Sequence, residues 1–140
     1  MRFYSFTNLY TSGIHAGIQT AHAVHEMFSK YNARRGDDAQ TLEKAEVMDD
    51  WMQNHKTIIV LNGGYQSNLQ RIYRELTNIS AELSLPIIKW HESKEALNGA
   101  LTSVAIIVPP VIYWSNDEDP LASDPEIRLY RLINSCRFAT

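Results

Sequence analysis

The sequence predicts a three-layer α/β sandwich, a four-stranded mixed sheet with helices on both faces. Two apolar, β-branched runs, KTIIVL at Lys56 to Leu61 and TSVAIIVP at Thr102 to Pro109, have the near-continuous hydrophobicity of strands covered from both sides. The intervening segments repeat their apolar residues at intervals of three and four, so the covering layers are helical.

Along the chain, Phe3 to Leu9 alternates and carries aromatic residues, which suits a first strand. From Gly13 the spacing becomes helical, with Ile14, Ile18, Ala21 and Phe28 on an apolar stripe that also takes in His25. His15, Gln19, His22 and Glu26 fall on a neighbouring polar stripe. Arg34 to Gly36 suit the C-terminus of this helix. Asp37-Asp38 then caps a second helix over Ala39 to Asn54, with Leu42, Val47, Trp51 and Met52 as core candidates. Its acidic run, Glu43, Glu46, Asp49 and Asp50, reads more simply as a solvated face than as a cation site.

Asn62-Gly63-Gly64 closes the second strand. Gln66 or Ser67 opens the clearest amphipathic helix, on which Leu69, Ile72, Leu76, Ile79 and Leu83 recur. Strand, Gly-Gly turn and helix N-terminus in succession favour an anion, although they match no phosphate-loop or dinucleotide fingerprint. Pro86 begins a third strand, PIIKW, and the loop from Trp90 to Gly99 leads to the fourth, ended by Pro109-Pro110. A polar loop at Trp114 to Pro120 precedes a last helix over Pro125 to Phe138, opened by Asp124. Its Leu129, Leu132, Ile133 and Cys136 have the spacing of core residues more often than of an interface. The expected organisation is one α/β domain over residues 1–110, with residues 111–140 as an extension whose helix packs on the same domain.

A chain of 140 residues with 44% hydrophobic content is the size of one domain with one core. The lone Cys136 fits a reducing compartment and reads as a small, half-buried side chain on the last helix. No apolar run is long enough to cross a bilayer, and MRFYSFTNLY lacks the pattern of a secretory signal, so the expectation is a cytoplasmic protein without a membrane partner. The net charge of −3 excludes a protein that grips long nucleic acid through many phosphates. Any phosphate contact must be local, with Arg34 and Arg35, or Arg71 and Arg74, as the available pairs.

The stretch from Thr7 to Phe28, TNLYTSGIHAGIQTAHAVHEMF, joins a strand end, a small-residue turn and a helix bearing Gln19-x-x-His22. With Asn8, Leu9, Gly13, Gln19, His22 and Ala23 at matching places, it resembles the opening of the type 2 peptidyl-tRNA hydrolases. KTIIVL after a tryptophan-bearing helix, and TSVAIIVP, resemble that family's second and last strands, so the similarity covers Met1 to about Pro110. The family's catalytic lysine is expected in the turn Thr11 to His15, where this chain has none and His15 stands in its place. Its Asp-Ala-Gly-x-Thr loop is replaced by Trp90-His91-Glu92-Ser93-Lys94-Glu95.

The resemblance thus implies a retained fold whose cleft binds rather than hydrolyses. The cleft residues it implies are Asn8, Tyr10, Ser12, His15, Gln19, His22, Trp90, Lys94 and Thr102, with Tyr10 and Trp90 to stack a base and the others to meet ribose or phosphate oxygens. The expected partner is a nucleotide-like small molecule, a signalling nucleotide to be sequestered, or a tRNA acceptor end. The alternative is a divergent peptidyl- or aminoacyl-tRNA ester hydrolase using His15, His22 and Glu92, with Glu95 as a second candidate acid. No cofactor is expected. His15, His22 and His25 share a helix, but no cysteine or carboxylate stands at zinc spacing, so no metal site is expected. The family resemblance also implies a homodimer.

Overall fold

The computed structural model describes residues 1–11, 13–32, 38–115 and 118–140. The elements run β1 (Arg2–Thr7), α1 (Ile14–Tyr31), α2 (Ala39–Asp50), β2 (Thr57–Asn62), α3 (Gln66–Leu83), β3 (Ile87–His91), α4 (Lys94–Leu97), β4 (Leu101–Val108), α5 (Pro110–Tyr113) and α6 (Asp124–Ser135). They build the expected mixed sheet, in the order β2-β1-β4-β3, with β1 parallel to β2 and antiparallel to β4, and β3 antiparallel to β4. Alternation along each strand divides the core into two layers. Tyr4, Phe6, Val104, Ile106 and Val108 meet Leu69, Ile72, Leu76 and Ile79 of α3 and Leu129, Leu132 and Ile133 of α6. Phe3, Ala105, Ile107 and Ile88 meet Ala23, Met27 and Tyr31 of α1 with Met48 and Trp51. The extension beyond residue 110 therefore shares the core of the preceding domain through α6.

Several sequence expectations are corrected. KTIIVL is not covered on both faces: β2 lies at the sheet's edge with Thr57 and Ile58 exposed, and the second interior strand is β1. An apolar run does not report its place in a sheet. The weakly apolar β1 is buried because Ser5 and Thr7 have hydrogen-bond partners, Ser103 Oγ at 2.9 Å and the Leu61 carbonyl at 3.0 Å. The outer edge of β2 is met by residues 137–139. The Asn62 N–H bonds to the Arg137 carbonyl, the Ala139 N–H bonds to the Val60 carbonyl, and Phe138 bridges Leu61. The last helix therefore stops at Ser135 rather than Phe138, and its cap is Ser123, locked in a reciprocal pair with Glu126, rather than Asp124.

The apolar stripe of α1 also faces the other way. Ile14 is 77% exposed, and Ile18, Ala21, His25 and Phe28 are exposed too. The buried line is Ala16, Gln19, Thr20, Ala23, Met27 and Tyr31. Its alanines and threonine let the helix backbone lie close to the sheet, and Thr20 Oγ1 donates to Ser5 Oγ at 2.9 Å. Helical spacing identified the helix, but its inner face combines the apolar Ala16, Ala23, Met27 and Tyr31 with the hydrogen-bonded Gln19 and Thr20, which a hydrophobic stripe alone does not pick out.

Helix α1 ends at Tyr31, and the expected stop at Arg34 to Gly36 lies outside the described residues, as does Asp37. Asp38 caps α2 by accepting from the Thr41 N–H at 2.8 Å. The second helix does not remain α-helical to Asn54: Trp51–His55 form a π turn, where Trp51 Nε1 donates to the Thr57 carbonyl at 2.9 Å. Trp51 and Met48 are buried there, whereas Leu42 is exposed. Burial pushes the Cys136 thiol pKa up, which disfavours the thiolate. Among the described residues, no helix is long and apolar enough to cross a membrane.

Gly63 sets how closely α3 approaches β1. A Cβ there would collide with Leu69 Cδ2 and come within 3.1 Å of Phe6 Cβ and 3.3 Å of the Thr7 carbonyl, all in a fully packed region. Gly63→Ala is expected to cost about 1–3 kcal/mol through overpacking, measured as a lowered urea midpoint with unchanged slope.

Candidate functional site

The strand register brings the chemistry to one rim of the sheet. β1, β2 and β3 end there and β4 begins there, with Thr7 opposite Asn62 and Ser103, and His91 opposite Leu101. The β3–β4 register shifts between Trp90 and His91, so that Trp90 faces Ser103, His91 faces Leu101, and Thr102 is the extra residue. This irregularity turns both Thr102 and Ser103 toward α1: Thr102 Oγ1 donates to Gln19 Oε1 at 2.7 Å, and Ser103 Oγ meets Ser5 Oγ.

On the α1 side, Gln19 is the hub. It is 4% exposed, accepts from Thr102, and donates through Nε2 to Glu92 Oε2 at 3.1 Å. His22, one turn along, stacks on Trp90 with ring centres 4.8 Å apart and planes 16° from parallel. The Trp90 Nε1–H is buried without a hydrogen-bond partner among the described residues. The structure thus brings Gln19, His22, Trp90, Glu92 and Thr102 together.

The Glu92 carboxyl is held below the usual glutamate range by the Ser93 N–H first and then by Gln19, against an opposing effect of desolvation, with His22 lowering it least. A depressed folded-state value means this carboxylate contributes stability above the ordinary glutamate pKa, and that contribution is lost as pH falls through the folded value. Thermal unfolding between neutral and strongly acidic pH is expected to show Glu92→Gln less stable than wild type at neutral pH. The two should converge in acid, and a constant gap across the range would disprove the assigned linkage.

Asn8 lies on the same rim but is fully engaged. Its Nδ2 donates to the Leu101 carbonyl at 2.9 Å, its Oδ1 accepts from the Tyr10 N–H at 3.0 Å, and its backbone N–H bonds to the Thr102 carbonyl. It holds the β1 exit against β4 and so shapes the site. On the α3 side opens a cleft of about 530 Å³ lined by Asn8, Tyr10, Thr11, Tyr65, Gln66, Ser67, Leu97, Ala100 and Thr102. Tyr10 and Tyr65 stand at its mouth edge to face, centres 5.7 Å apart, and are 87% and 57% exposed.

Of the residues implied by sequence, Asn8, Tyr10 and Thr102 line this cleft, while Gln19, His22, Trp90 and Glu92 form the cluster behind it. His15 and Lys94 are exposed and line neither, and Ser12 lies outside the described residues. Glu95 is exposed on α4. Thr11, Tyr65, Leu97 and Ala100 carry no implication from the sequence, whereas Gln66 and Ser67 begin the helix whose N-terminus, after the Gly-Gly turn, favours an anion. The signal for Tyr65 was an aromatic residue placed between Gly-Gly and a strongly amphipathic helix. Among the described residues, no three His, Cys, Asp or Glu side chains are grouped to hold a metal ion. No family model matches the chain, and no curated protein matches its sequence.

Proposed function

We propose that this chain is a non-catalytic binding protein, related in architecture to the type 2 peptidyl-tRNA hydrolases, that holds a nucleotide-like ligand in the Tyr10–Tyr65 cleft. The observation that carries the reading is the position of that cleft. It opens beyond the carboxyl ends of β1 and β2, where open α/β sheets commonly take ligands, and its volume of about 530 Å³ suits a small molecule. The two exposed rings offer faces to a base. Gln66 spends its Oε1 on the Leu101 N–H, at 3.1 Å, and keeps its amide N–H groups, while the Ser67 hydroxyl lines the same wall. Binding there serves either sequestration of a signalling nucleotide or capture of a tRNA acceptor end, in the cytoplasm.

Calorimetry with mono-, di- and cyclic nucleotides and an acceptor-end mimic tests this reading. Tyr65→Ala is expected to lose about 1–3 kcal/mol with the ligand that binds, roughly a five- to 150-fold weakening, while Glu43→Ala on α2 binds as wild type. Absence of binding across the panel, or equal binding by Tyr65→Ala and wild type, rejects the reading.

The same proposal includes a homodimer, supported by the apolar line of Ile14, Ile18 and Phe28 that α1 turns to solvent. Light scattering is expected to give the dimer mass for wild type and the monomer mass for Ile18→Glu. A monomer mass for wild type over a broad concentration range would remove this part of the proposal.

A further inference from the structure

We infer that the groove between α3 and the β3 edge is a phosphate subsite, receiving phosphate groups of an extended ligand whose base stacks at Tyr10 and Tyr65. The base end rests on the proposed function above, whereas the phosphate end stands on the groove's own chemistry.

The groove encloses about 370 Å³ and is lined by Gln70, Tyr73, Arg74, Lys89, His91 and Leu101, with no carboxylate among them. In a chain of net charge −3, that is a local concentration of donors and positive charge. Arg74 makes no ion pair among the described residues, whereas its neighbour Arg71 is occupied by Glu75 and Asn68, each at 3.1 Å. The Lys89 ammonium lies 4.9 Å from the centre of the Tyr73 ring, a contact that orients the charge without neutralising it. His91 is anchored by a 3.0 Å contact between its Nδ1 and the Gly99 carbonyl, which leaves Nε2 as its remaining polar atom. A fork of arginine beside an oriented lysine is the donor set that phosphate oxygens take.

The groove continues the cleft. Helix α3 gives Gln66 and Ser67 to the cleft and Gln70, Tyr73 and Arg74 to the groove, a spacing of three and four that keeps them on one face. On β4 and the residue before it, Leu101 and Ala100 line the two sides of the junction. Ser67 to Arg74 spans about 10 Å along the helix axis. That separation fits phosphate extended away from a base, as in a nucleoside polyphosphate or a dinucleotide, better than a bare nucleoside.

The test is calorimetry with pyrophosphate alone and with nucleosides, nucleoside triphosphates and dinucleotides carrying each of the four bases. The proteins are wild type, Tyr65→Ala and the charge-neutral double variant Arg74→Gln/Lys89→Gln, whose exposed positions leave the core intact. The double variant is expected to bind pyrophosphate and the tighter phosphorylated class about tenfold more weakly or worse, with nucleoside affinity unchanged. Which of the two phosphorylated classes binds more tightly distinguishes the polyphosphate from the dinucleotide. If phosphorylated ligands bind no more tightly than nucleosides, or bind the double variant as they bind wild type, the subsite is refuted and the cleft reading stands. If pyrophosphate binds through Arg74 and Lys89 but no base-bearing probe depends on Tyr65, the cleft reading fails and the phosphate site stands alone. If pyrophosphate and all other probes fail to bind, both are refuted.

Discussion

Peptidyl-tRNA is expected to be hydrolysed by this chain about 10⁴-fold more slowly than by an active type 2 peptidyl-tRNA hydrolase at matched concentration. The family mechanism needs a charged group at the developing oxyanion and a base to direct water. Here the turn before α1 has no lysine, and His15, which the proposed resemblance puts in its place, is exposed and lines neither the cleft nor the Gln19 cluster. Glu92 is the acid nearest the expected position, but its carboxylate is already bonded to the Ser93 N–H and to Gln19, and its depressed pKa makes it a weak base. Losing one oxyanion partner costs about 10²–10³ in rate and losing a general base about 10²–10⁴, so the smaller figures together give the expected deficit. Single-turnover cleavage of a labelled peptidyl-tRNA measures it. Turnover comparable to the active enzyme, abolished in His15→Ala, would establish the ester-hydrolase alternative and end the binding proposal.

In the Ile18→Glu background, which is expected to be monomeric, Phe6→Ala is expected to lower the unfolding free energy by about 3–5 kcal/mol, whereas Ile14→Ala changes it by no more than about 0.5 kcal/mol. Phe6 is fully buried against the α3 layer near the end of β1, and its removal leaves a cavity between the sheet and the helix that supports the cleft. Ile14 is as apolar in sequence but 77% exposed. Urea unfolding of both variants decides whether α1 has been assigned the correct face. A loss at Ile14 as large as that at Phe6 would mean that the apolar stripe is the inner one.

That contrast marks the boundary of what the sequence made legible. The order of elements, the α3 core line from Leu69 to Ile79 and the burial of α6 all followed from spacing, because a face that buries large apolar side chains declares itself. The inner face of α1 did not. It mixes Ala16, Ala23, Met27 and Tyr31 with the polar Gln19 and Thr20, whose partners Thr102 and Ser5 come from strands elsewhere in the chain. The irregularity that turns Thr102 toward Gln19 is likewise a matter of register between β3 and β4. Motif residues gave Gln19, His22 and Thr102 as neighbours. The Gly-Gly turn pointed to the start of α3, but the meeting of Tyr65 with Tyr10 depended on folding α3 against the β1 exit.

Each outer edge of the sheet has part of its backbone engaged. Residues 137–139 run along β2, while the Tyr31 hydroxyl donates to the Ile87 carbonyl at 3.1 Å and accepts its N–H at 3.3 Å on β3. An open strand edge is a template onto which another chain can add, the first step toward cross-β fibrils. Here that template is occupied at one edge by the molecule's own tail and interrupted at the other by a phenol. Concentrated solutions should therefore add strands to either edge less readily than an open edge would allow.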